Sequence, residues 1–230
     1  MISLSAVQDK LDTHLRTVDE LAGFDSILLD FCISHINDLN FKLKNGPPQI
    51  SNQTYLAENA LKAISNVRQN NSMRIQYKSI FNSCLVLQVS YFTSAVEAIF
   101  HYTINRLITS NKTPYTIEAL KQKNNINFQN MASTIKTYCK YLNLEIIKNS
   151  TVNNISLAQC CRHTIVHSLS IADQKFISQT QMLTPRDIKR NMTLDEKIFF
   201  SSSELQFVKL AMQTFISDLC DKIKAQLEIE

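Results

Sequence analysis

A chain of 230 residues, 44% of them hydrophobic, is long enough to bury one sizeable core and too apolar to be disordered. Its only glycines are Gly23 and Gly46, which argues against tight hairpins and glycine-rich phosphate loops, since both use positive φ angles. A net charge of +4 and a pI near 8.7 permit contact with nucleic acid without demanding it.

The amino terminus has no basic start followed by a long apolar run, so no signal peptide is expected. Nor does any uninterrupted apolar stretch approach the ~20 residues that span a bilayer, so no membrane partner is expected. Residues 4–20 and 24–44 read as two amphipathic helices divided near Gly23. Gly46-Pro47-Pro48 is the clearest break, setting off an amino-terminal helical extension (1–48) from a helical domain (53–228). A helix over about 54–69 ends in the polar run Gln69-Asn70-Asn71-Ser72.

The longest pattern, 74–109, repeats Leu85, Val89, Phe92, Val96, Ile99, Phe100, Thr103 and Leu107 at steps of three and four, which marks a central core helix. Thr113-Pro114 opens a short helix to about 123, and residues 127–143 form another with Met131, Ile135, Tyr138 and Leu142 on one face. A helix over 151–169 follows, then an irregular stretch over 170–201. The last helix runs from Ser203-Glu204 to about 227, with Leu205, Val208, Met212, Phe215 and Leu219 inward. The expected fold is all-α, without internal repeats. Cys32, Cys84, Cys139, Cys160, Cys161 and Cys220 contain no C-x-x-C pair and read as free buried thiols of a reducing, cytoplasmic compartment.

The chemistry concentrates in Cys161-Arg162-His163-Thr164-Ile165-Val166-His167-Ser168, in a chain with only five histidines. Arginine holds phosphate and histidine moves protons near neutral pH. Ile155, Ala158, Ile165 and Leu169 line one face of the 151–169 helix, and Arg162, seven residues beyond Ile155, returns to nearly the same angle. A guanidinium in that stripe needs a partner, because an unpaired buried charge costs several kcal/mol. Glu97 is the expected one, from a polar strip of Ser90, Ser94, Glu97 and His101 on the long core helix. His163 and His167, four residues apart, share a face about 40° wide, whereas His167 lies roughly 140° round from Arg162. Either the helix ends at His167 and the chain turns, or the arginine and histidine meet across two subunits.

Arg162-His163 followed by His167 resembles the R-x-x-x-x-H signature of HEPN (higher eukaryotes and prokaryotes nucleotide-binding) domains. Ile165–Ser168, Ile171–Phe176 and Tyr91–Phe100 are similar to stretches of bacterial members, and the resemblance covers about residues 74–228. It implies a HEPN-like helical bundle that dimerises with the two motifs face to face, many members being metal-independent endoribonucleases of toxin–antitoxin, abortive-infection and other antiviral systems. Others serve as non-catalytic binding or assembly modules. Carried onto this chain, Arg162 stabilises the charge on pentavalent phosphorus and His167 acts as base or acid. His163 orients the phosphate or a water, and Glu97 supports the arginine. The partners implied are an RNA substrate, a second copy of the chain completing a composite site, and an antitoxin or sensor protein. No cofactor is implied.

Other readings of the same residues are structural. His167 suits a helix end, where an imidazolium complements the last carbonyls, and Arg162 can serve as half of a buried pair with Glu97. A zinc reading would take Cys160, His163 and His167 with Asp173, but one helix lacks the paired-ligand spacing of common zinc sites, so no metal is expected. His14, His35 and His101 read as ordinary helix histidines, and Arg186-Asp187-Ile188-Lys189-Arg190 as a solvated basic loop.

Overall fold

One helix organises the molecule. In the computed structural model, which describes residues 3–45, 58–60, 62, 71–115, 120, 126–189 and 191–227, it is one of the helices whose bounds lie within the described residues. These are α1 (Leu4–Lys44), α2 (Asn71–Thr109), α3 (Met131–Leu142), α4 (Ser150–His167), α5 (Gln174–Gln181) and α6 (Ser202–Leu227). Among the described residues the architecture is all-α, with a single antiparallel bridge between Ile171 and Lys197. Leu85, Val89, Phe92, Val96, Ile99, Phe100, Ile104 and Leu107 of α2 are buried because α1, α3, α4 and α6 all pack against it. Ile80–Thr109 is long and apolar enough to cross a membrane by length and composition, and half of its most apolar stretch is buried within this chain. The spacing of its apolar residues is therefore accounted for by helix packing.

The expected division of the first helix at Gly23 is not found. α1 is continuous for 41 residues, and a glycine inside a helix costs only about 1 kcal/mol relative to alanine, too little to end one by itself. Leu4, Val7, Leu11, Leu15 and Val18 join the same core as α2 and α6. Lys209 bonds to Asp19, and Gln213 to Asp12 at 2.8 Å, fastening α6 along this half of α1. Beyond it, Phe31, Leu39 and Phe41 are exposed. The expected break at Gly46–Pro48, the helix over 54–69 and the short helix to 123 fall wholly or largely outside the described residues.

The stretch 170–201 is more ordered than its composition implies. Asp173 caps α5, its carboxylate accepting from the Phe176 N–H at 2.7 Å, and Phe176 anchors that helix in the core. Ala172 and Glu196 pair through backbone, as do Ser170 and Ile198. Buried Asn82 of α2 clamps the far side, donating to the Ile198 carbonyl at 2.8 Å and accepting from the Phe200 N–H at 3.1 Å. The basic run is likewise built in rather than solvated. Ile188 is buried, Arg186 donates to the Thr180 carbonyl, and Lys189 bonds to the Phe199 carbonyl and to Glu204; Arg190 lies outside the described residues. Ser201 and Glu204 then open α6 as a reciprocal capping box.

Candidate functional site

Helix α4 begins at the Asn149 cap, whose side chain accepts from the Val152 N–H at 3.0 Å. Over its first three turns the helix is enclosed on nearly all sides: Val152, Asn153, Asn154, Ile155, Leu157, Ala158, Gln159 and Cys161 are all buried. The polar members of that set carry tertiary bonds. Asn153 donates to the Pro185 carbonyl at 3.0 Å. Asn154 donates to Asp187 at 2.8 Å and accepts from its N–H at 2.9 Å, and Gln159 accepts from the Met131 N–H at the start of α3 at 2.8 Å.

The last turn and a half emerges. Thr164 stays buried, Arg162 and Ile165 are half-buried, and His163, Val166 and His167 are exposed. The helix ends at His167, with the Ser168 N–H on the Thr164 carbonyl at 2.9 Å. Leu169 and Ser170 follow with φ of 52° and 64°, and the Ser170 N–H also reaches the Thr164 carbonyl, at 3.2 Å. A left-handed position at a helix end is usually given to glycine, which has no Cβ to strain it. Here the position falls to Leu169, 82% exposed, so the chain turns sharply away and leaves the imidazoles at a free helix end.

His163 and His167 lie against each other, ring centroids 4.7 Å apart and planes at 48°. Arg162 forms no hydrogen bond or ion pair with another described side chain, and Glu97 pairs instead with His101 one turn along α2, at 3.7 Å with both about half exposed. The expected Glu97–Arg162 contact is therefore not formed. The stripe through Ile155 and Arg162 leaves the core before Arg162 is enclosed, and Leu169, expected on the inward face, points to solvent. Because α4 stays regular through His167, Arg162 and His167 diverge by roughly 140° within one chain. The helix does end at His167, and the left-handed residues Leu169 and Ser170 turn the chain only after the imidazole, which stays on the helix.

Cavities of about 420 Å³ and 440 Å³ lie between the start of α4 and α6, and between α1 and α6, and neither is lined by Arg162, His163 or His167. No group of three or more His, Cys, Asp or Glu side chains is placed to hold a metal among the described residues. Asp173, the fourth ligand of the zinc reading, is engaged as the α5 cap. Burial raises the Cys160 and Cys161 thiols above the ordinary thiol range. Cys139 is exposed, against the expectation of buried thiols throughout, and Cys84, Cys161 and Cys220 are buried.

Sequence reasoning missed an apolar rim next to the imidazoles. Val166, Leu169 and Ile171 are 47%, 82% and 41% exposed. Nothing local separates Val166 from its half-buried neighbour Ile165, so only the tertiary structure reveals which of them faces out. No family model, curated protein or solved structure matches this chain.

Proposed function

We propose that the chain is a metal-independent endoribonuclease of the HEPN type, acting as a homodimer with a composite site. One observation carries the reading: a half-buried guanidinium with no ion-pair partner among the described residues and two touching, exposed imidazoles occupy the emerging end of an otherwise buried helix. The 140° between Arg162 and His167 is bridged by a second copy, so that one subunit's arginine faces its partner's imidazole. The exposed Val166, Leu169 and Ile171 supply apolar surface for that contact.

In the reaction the ribose 2′-oxygen attacks the adjacent phosphorus, and His167 takes its proton. The bond from phosphorus to the 5′-oxygen breaks, and the departing oxygen takes a proton from the second imidazole of the composite site. The products are a 2′,3′-cyclic phosphate and a 5′-hydroxyl end. Arg162 donates forked hydrogen bonds to the phosphoryl oxygens as negative charge accumulates on them. His163, in contact with His167, restricts the orientation of that ring. A nuclease of this kind belongs to a toxin–antitoxin pair or an antiviral system, held in check by an antitoxin or sensor protein in the cytoplasm.

The test is incubation of the purified chain with mixed RNA in EDTA, with native mass measurement alongside. Cleavage to 5′-hydroxyl ends, lost in Arg162→Ala and in His167→Ala, is expected together with a dimer mass. RNA left intact under all conditions overturns the enzyme. The divergence of Arg162 and His167 within one chain favours the second reading, a non-catalytic HEPN module binding nucleotide, RNA or a protein partner, and intact but bound RNA is its signature.

A further inference from the structure

From the geometry of the two touching imidazoles we infer that His163 and His167 form a two-nitrogen chelate for a divalent transition metal of the zinc class, whose occupation silences the proposed site. Zinc sits about 2.0–2.1 Å from an imidazole nitrogen, hence about 3.2 Å from the ring centre, so cis coordination at about 90–110° sets the centroids about 4.5–5.2 Å apart. The observed 4.7 Å falls inside that window. The helix holds both rings at this separation in advance, which lowers the ordering cost of chelation.

Which metal follows from the ligands. Imidazole suits zinc, nickel and copper, while magnesium and calcium take oxygen donors. Cys160, one turn before His163, is half-buried and forms no three-group cluster with the imidazoles among the described residues, so the two ring nitrogens are the donor set. Asp173 is occupied as the α5 cap. Both histidines are exposed, so a two-ligand site there is open to water and exchanges its ion readily. A metal on His167 occupies the lone pair that would take the 2′-hydroxyl proton. Only this regulatory consequence rests on the nuclease reading; the binding itself does not.

Calorimetric titration of the EDTA-treated, dialysed full chain with zinc chloride tests the site without reference to RNA. His163→Ala and His167→Ala are each expected to weaken the tightest site about tenfold or more, since losing a first ligand costs at least what losing its support does. Cys160→Ser leaves it within about twofold, as does His101→Ala, which removes the other i,i+4 donor pair. Unchanged affinity in both His163 and His167 variants overturns the inference, as does a loss in Cys160→Ser or His101→Ala equal to theirs. Nitrogen hyperfine splitting from two imidazoles in the copper(II)-loaded chain is the expected spectroscopic counterpart, and its absence overturns the assignment as well. If the chain cleaves RNA, saturating zinc lowers the rate at least about tenfold and EDTA restores it. A chain that binds zinc through both histidines and never cleaves RNA sinks the nuclease reading and leaves the metal site standing.

Discussion

Residues 152–161 and 162–167 belong to one helix, α4, and meet different surroundings. In the first stretch every polar side chain that is buried has a described tertiary role: Asn153 and Asn154 hold the 185–187 loop, and Gln159 holds the start of α3. In the second, among the described residues, the arginine has no ionic partner and the imidazoles meet only each other. A buried polar group without a bond costs about 1–3 kcal/mol, and in the enclosed stretch each buried amide side chain makes at least one tertiary bond, although the Gln159 Nε2 finds none. The emerging end is free of that constraint and retains three cationic or titratable residues in six for which the fold shows no use. That contrast, and not the arginine–histidine spacing alone, is what marks the end of α4 as the place to look for chemistry.

The largest effect expected along the helix is at Asn154. Its amide both donates to and accepts from Asp187, and Asn154→Ala removes both bonds at a buried position. A loss of about 2–3 kcal/mol is expected, read as a lower midpoint at unchanged slope in a urea titration. A loss below about 0.5 kcal/mol would mean the asparagine is not a structural knot, and the contrast with the far end of the helix would fail.

How far this division was readable beforehand depends on the range of the forces involved. The apolar steps along α2, α3 and α6 repeat over three turns or more, so packing periodicity locates those helices to within a few residues. α5 is eight residues long, with Phe176 as its main apolar anchor, and offers no such repeat. Asn82 reaches backbone 116 and 118 residues away, and no local pattern encodes a partner at that separation. Lys189 read as a solvated charge because composition does not show the Phe199 carbonyl and Glu204 waiting for it. The arginine and the histidine pair were visible as residue types. The Glu97 pairing was not reliable, because periodicity along each helix leaves open how one is rotated against the other, and α2 turns Glu97 toward His101.

A smaller effect sharpens the same contrast one residue earlier. Asn153 has a single described bond, from its amide to the Pro185 carbonyl at 3.0 Å. Asn153→Ala should cost about 1 kcal/mol, the net worth of one hydrogen bond, with the loop still held by Asn154. The two asparagines share one loop, so the double variant is expected to depart from the sum of the singles by about 0.5 kcal/mol or more. Additivity within the error of the titration would show that each holds its own part of the loop independently.

The smallest expected effect carries the most weight for function. His163 and His167 are exposed, and the only described contact of their rings is with each other. Alanine at either position should change stability by no more than about 0.5 kcal/mol, a shift in Tm of about 1–2 °C for a chain of this size. His167 is the final helical residue, so its variant forfeits at most a small interaction with the last carbonyls, and that part fades as salt is added. If either substitution instead destabilises the protein as Asn154→Ala does, the histidines are part of the scaffold and the end of α4 loses its claim to a role beyond folding. If both leave the melting curve in place while removing zinc affinity, those residues are retained for something other than the fold.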